Sequence, residues 1–380
     1  MIGVFPSYFA KYANTTLNLI VLGLSFVCLV GWRKLTAKDI LIKHKASLSM
    51  TIISMVVLCL ILGNRSINGG FGDTYLYAHH FNLLRSVAEP DVFIGGEWVF
   101  NWLMYQCSRF GDVDLFFTVV CFGYVFFAFW GIYRIFRNET YGAWLFYIGA
   151  FSFFSYATNG IRNGLASALI ICALSYTIIP KQRNWLIAIL LAFLSIGIHK
   201  SAVLPIVCLA MSFCVKNIKV STFFWVFAII IYLTASGLIS DFFTGMGFDD
   251  RLTGYIENSE QYASRGFTTG FRLDFLLYSV MPIWLGWYIN TKHPNGIDRT
   301  YQLLLNTYIF ANAFWVMLMG AAYSNRFAYL SWFLYPLVLA YPCLRLNIWG
   351  QNQGKNAGLI LLAHTGFTVF MQFIYYGALF

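Results

Sequence analysis

TNGIRNGLASALIICALSYTIIPKQRNWLIAILLAFLSIGIHKSAVLP, residues 158–205, contains two apolar runs with their polar groups gathered at the ends. Asn159-Gly160-Ile161-Arg162-Asn163-Gly164 opens the first run, Gly197-Ile198-His199-Lys200-Ser201 closes the second, and Pro180-Lys181-Gln182-Arg183 joins them. If both runs are helices that cross a bilayer, the basic turn lies on one side and Arg162 meets His199 on the other. Ionisable groups held at a membrane face are costly to place, so the pair is a functional-site hypothesis.

The same pattern extends along the chain. Of its 380 residues 59% are hydrophobic and 11% charged, where a soluble domain carries about 25% charged residues. Apolar runs recur at about the length a helix needs to cross the hydrocarbon core, and the alternation of a barrel strand is absent. The expectation is an all-α polytopic membrane protein, one integral domain over 1–380. About twelve spans are expected, near 17–34, 47–63, 114–133, 142–157, 161–179, 185–199, 201–215, 221–238, 272–290, 301–320, 326–343 and 357–378. The first run has neither a basic leader nor a small-residue cleavage site, so it reads as a span.

A net charge of +10 could suit nucleic acid, but the basic residues are scattered among short loops, and retention of those loops on the cytoplasmic side is the better reading. Under that topology the inner loops hold fifteen Lys/Arg against three Asp/Glu, and both termini lie outside. Eight of the ten outer cations are arginines. Retention needs only charge, whereas a planar guanidinium fork suits phosphate oxygens. The eight cysteines are dispersed, with no CxxC pair, and read as packing residues.

Two outer segments exceed simple turns. Residues 64–113 start polar and Gly-rich, continue as an amphipathic helix to about Ser86, and include a short apolar piece, Trp98 to Phe110, that lies in the interface rather than crossing. Residues 239–271 form a second long loop, whose Tyr255 and Tyr262, with Tyr75 of the first segment, suit the mixed polar and apolar faces of a sugar. Asn159 is expected to cap the helix that begins at Ile161, aiming its positive end outward beside Arg162, a favourable place for a phosphate. His199 ends a run too short to reach the outer interface, with Ser201 and Pro205 encoding the break after it. A neutral imidazole there can take a proton from an attacking hydroxyl or donate a hydrogen bond to a phosphate. Arg272 and Arg326 open later spans at the same face, and with Arg65 and Arg162 they are candidates to hold a pyrophosphate. Asp73 and Glu97 are the candidate acids. Asp112-Val113-Asp114 reads as a helix cap, and neither zinc spacing nor a P-loop occurs, so no metal or cofactor is expected.

Taken in order, Gly72-Asp73-Thr74-Tyr75, Glu97, Ile161-Arg162-Asn163-Gly164-Leu165-Ala166, His199-Lys200-Ser201-Ala202, Phe271-Arg272 and Asn325-Arg326-Phe327 resemble the EpsG-like group of Wzy-type polysaccharide polymerases. The resemblance implies a fold similar to the GT-C class and an inner-membrane transferase. Such an enzyme joins undecaprenyl-pyrophosphate-linked oligosaccharide repeats, donor and acceptor, at the periplasmic face, in contact with membrane lipid and with a chain-length regulator as partner. Arginines 65, 162, 272 and 326 would then bind pyrophosphate, with His199, Arg162 and Asp73 or Glu97 catalytic. The rival readings are a flippase or exporter of the lipid-linked unit, the related O-antigen ligase, and an outer-face acyltransferase.

Overall fold

The computed structural model describes residues 7–36, 39, 47–67, 71–88, 91, 96–245, 270–292, 297–320 and 324–376. Among these residues the secondary structure is helical, with no strand. Five stretches are long and apolar enough to cross a membrane: Tyr12–Trp32, Val113–Ile148, Ile218–Ala235, Ser324–Arg345 and Gly350–Phe373. Shorter apolar helices accompany them at Leu48–Gly63, Ile161–Thr177, Trp185–Ile198 and Lys200–Cys214. The chain is therefore a polytopic helical membrane protein. Its contacts gather in two compact units, one formed by Met1–His199 with Leu339–Phe380 and the other by Lys200–Val338.

In the first unit the helices are α1 (Ser7–Trp32), α2 (Ser47–Gly63), α3 (Thr74–Ser86), α4 (Trp98–Phe110), α5 (Val113–Phe136), α6 (Thr140–Ile148), α7 (Phe153–Thr158), α8 (Ile161–Thr177) and α9 (Trp185–Ile198). Helix α8 is buried along nearly its whole length. Between apolar helices in lipid, close approach of small residues replaces the hydrophobic drive that water supplies, and α8 is rich in them. A side-chain carbon on Gly164 would lie 2.5 Å from the Tyr156 carbonyl, and one on Gly131 of α5 would lie 2.8 Å from the Ile171 carbonyl. Ser195 of α9 donates to the Ala166 carbonyl at 2.9 Å. Asp112 caps α5 by accepting from Leu115 N at 3.1 Å, as its sequence context predicts.

The second unit holds α10 (Val203–Cys214), α11 (Ile218–Gly245, with a kink at Ala235), α12 (Leu273–Lys292), α13 (Arg299–Met317) and α14 (Ser324–Trp332). Helix α15 (Tyr335–Arg345) carries the chain back into the first unit, where α16 (Gln353–Tyr376) packs on α1. A polar hub ties the second unit together. Asn312 on α13 accepts from Trp225 Nε1 at 2.8 Å and donates to Ser279 and Ser331 at 3.1 and 2.9 Å, while Trp332 Nε1 donates to Ser279. Such bonds satisfy groups that would otherwise face hydrocarbon, and they fix helix register.

The expected spans at 142–157 and 326–343 are each broken in two, into α6 and α7 and into α14 and α15. The amphipathic helix expected to about Ser86 and the short apolar piece expected from Trp98 to Phe110 are present as the helices α3 and α4. Tyr255, Tyr262 and most of the 239–271 segment lie outside the described residues.

Candidate functional site

The outer segment is fixed to the start of α8 by a clasp. Asn159 does not cap that helix: Gly160 is the N-cap residue. The Asn159 side-chain oxygen Oδ1 instead accepts from the backbone N of Asp73 at 2.9 Å. Gly72 lies against the Asn159 side chain with φ +64, a left-handed conformation next to a neighbour that leaves no room for a Cβ. Thr74 completes the clasp by donating to the carbonyls of Phe71 and Thr158 at 2.9 and 3.2 Å. Asp73 thus stands, half-buried, at the start of α3.

Arg65 belongs to the same clasp. It is 1% exposed, donates to Thr74 Oγ1 and to the Leu62 carbonyl, and lies 4.2 Å from the Phe117 ring centre. It is an interior tie between the end of α2 and the start of α3.

A second contact brings α4 to the end of α9. Gly197 faces Trp98 and Val99 so closely that a Cβ would lie 2.5 Å from Val99 Cγ2 and 2.9 Å from Trp98 Nε1, and Trp98 packs on Phe193. Glu97, the residue before α4, is thereby delivered between α8 and α9. One oxygen of its carboxylate pairs with Arg162 Nη1, and the other is 2.7 Å from His199 Nδ1. All three side chains are about 15% exposed. Arg162 Nε donates to the Tyr77 hydroxyl at 3.2 Å, and its guanidinium lies within 6 Å of the Tyr77 and Phe100 ring centres, where a cation is attracted by the ring faces.

The bridge decides which atoms remain for a ligand. With Glu97 accepting at Nδ1, the His199 ring carries its proton there, and Nε2 is the site that can take up another. Arg162 has spent Nε and Nη1, and Nη2 has no partner among the described residues. A proton-accepting nitrogen and a free guanidinium corner therefore share one carboxylate. No His/Cys/Asp/Glu group among the described residues is arranged to hold a metal.

The structure brings together Arg162 and His199, which the sequence had paired, with Glu97, which it had nominated separately, and adds Tyr77, which it had not. The missed signal was the buried series Thr74, Tyr77, Ala78, Phe81 along α3; Tyr75, the tyrosine singled out, points to solvent at 70% exposure. Arg272 and Arg326 belong to the second unit. There Arg272 pairs with Asp274 at 2.7 and 3.0 Å and lies 3.7 Å from the Phe275 ring centre, and Arg326 is half-buried in the first turn of α14.

Fold and site define a polytopic membrane protein with a carboxylate-bridged arginine and histidine at the ends of two apolar helices. The model of the EpsG family matches residues 48–378, and the chain belongs to that family. Membership points to a membrane protein of the polysaccharide-polymerase type. No curated protein and no solved structure matches the chain.

Proposed function

We propose that the protein is a glycosyltransferase that joins oligosaccharide repeats, each carried on undecaprenyl pyrophosphate, into O-antigen or exopolysaccharide at the periplasmic face of the bacterial inner membrane. The observation that carries this reading is the Glu97 carboxylate shared by Arg162 and His199. Nucleotide sugars are absent outside the inner membrane, so a transferase there needs a donor already bearing its leaving group. In the reaction His199 Nε2 takes the proton of the acceptor hydroxyl as its oxygen attacks the anomeric carbon. The bond from that carbon to the pyrophosphate oxygen breaks, and the lipid pyrophosphate leaves with the electron pair. Arg162 Nη2 binds the pyrophosphate and offsets the charge that grows on it, the kind of fixed donor that acts most strongly where charge develops. Glu97 holds the imidazole in the productive tautomer and stabilises the imidazolium once formed, while Tyr77 and Glu97 fix the guanidinium. Tyr75 is exposed where a sugar chain would pass.

Gene deletion followed by separation of surface polysaccharide by length tests the reading. A polymerase mutant displays single capped repeats in place of the ladder. Complete loss of surface sugar assigns the protein to export or ligation, and an unchanged ladder refutes the reading.

A further inference from the structure

At the end of the second unit opposite Arg272, the turn between α10 and α11, the last turn of α12 and the first turns of α13 line an open cavity of about 300 Å³. That volume is at the lower edge of small-molecule sites. Its polar lining is Lys216, Asn217, Asn290, Gln302 and Asn306, with Leu305 among the apolar residues. The hydrogen bonds within the unit consume acceptors selectively. Gln302 Oε1 accepts from Arg299 Nη1 at 2.7 Å, and Asn217 Oδ1 accepts from Lys219 N at 2.9 Å. Asn306 donates to the Val215 carbonyl and accepts from Ser221. Left over among the described residues are the NH₂ groups of Asn217 and Gln302, the whole Asn290 amide, and Lys216, which has no carboxylate partner there.

A cavity whose spare side-chain groups are an ammonium, three amide NH₂ groups and a single amide oxygen favours an acceptor-rich anion. Arg299, Lys219 and Lys292 stand at the same end of these helices, the basic end that the charge bias makes cytoplasmic. Basic pockets between membrane helices on that side take anionic lipid headgroups. We propose that this cavity binds the phosphodiester headgroup of an anionic glycerophospholipid from the inner leaflet. Lys216 neutralises the phosphate, and the three amides bond its oxygens and the headgroup hydroxyls.

The test uses full-length protein purified in detergent and stripped of lipid. Its thermal unfolding midpoint is followed during titration with phosphatidylglycerol, phosphatidylethanolamine or inorganic phosphate. Phosphatidylglycerol is expected to raise the midpoint saturably, and phosphatidylethanolamine to do so much less. In Lys216→Gln the half-saturating concentration should rise about fivefold, the effect of one basic residue beside an anionic headgroup. Asn290→Leu, which keeps the charge and fills the cavity, should weaken the response as well and serves if the lysine variant fails to fold. An equal response to inorganic phosphate would assign the site to free phosphate and overturn the lipid. A phosphatidylglycerol response unchanged in both variants, or no response at all, would overturn the site.

Discussion

The two ends of the first unit both hold arginines, and they hold them differently. At the basic end Arg134 donates to Ser175 Oγ and to the Gln182 carbonyl and stacks 3.7 Å from the Tyr176 ring centre. Arg137 reaches the Gln182 side chain, and Arg183 donates to the Thr177 carbonyl at the end of α8, where a cation offsets the negative end of the helix. Glu139, 1% exposed, pairs with Arg345. Each guanidinium there ties helix ends and turns together. At the other end Arg162 shares its carboxylate with a histidine, and both retain a nitrogen with no partner among the described residues. An arginine whose neighbours are carbonyls and rings is a fastening. One that shares a carboxylate with an imidazole is poised for proton transfer and anion binding.

Substitutions break or sharpen that contrast in graded fashion. His199→Ala should lose about 10²- to 10⁴-fold in polymerisation rate, the range of a positioned general base, measured by polymer formed from lipid-linked repeats in vesicles. Arg162→Lys keeps the charge but loses the fork and the bond to Tyr77, and should lose about 10²-fold, at the low end for a fixed transition-state donor. Wild-type chain lengths in that variant would remove the pyrophosphate role. Tyr77→Phe deletes only the hydroxyl that positions Arg162 Nε. The lost bond to a charged group is worth about 1.5 kcal/mol, so the rate should fall by no more than about tenfold, and the unfolding midpoint should fall as well. Arg134→Lys at the basic end should leave the rate within about twofold and cost about 1 kcal/mol of stability, from the lost ring stacking and hydrogen bond. A larger loss of rate there would erase the distinction between the two ends.

How much of this was legible in the sequence varies with how local the cause is. The run at 47–63 and the one at 185–199 match α2 and α9 to within a residue, because an uninterrupted apolar run ends at Gly63 in one case and at His199 in the other. The break between α6 and α7 falls at Gly149, which caps α6 and lies so close to Thr365 of α16 that a Cβ there would be 2.5 Å from its Cγ2. The break before α15 did carry a local sign in Pro336, a residue that fits the first turn of a helix but not its interior. At the site, Arg162, His199 and Glu97 were each visible as charge placed where charge is expensive. That Glu97 joins the other two across 65 and 102 residues was not, since it depends on the close approach of Trp98 and Val99 to Gly197. Arg65 looked like its fellow arginines until Phe117 and Thr74 closed over it. Asn159 was nominated as a cap because its type and position fit one; the backbone of Asp73, remote in sequence, took the side chain instead.

The central claim is that Glu97 acts through His199 and Arg162 as one unit, and a double-mutant cycle on polymerisation rate tests it most directly. Groups that act together are strongly non-additive when removed. Once the imidazole is gone, Glu97 has no tautomer left to set and only its hold on Arg162 remains to be lost, so adding Glu97→Gln to His199→Ala should slow the enzyme by much less than Glu97→Gln slows the wild type. Losses that multiply across the two positions, or a Glu97→Gln variant with the wild-type rate, would contradict the account.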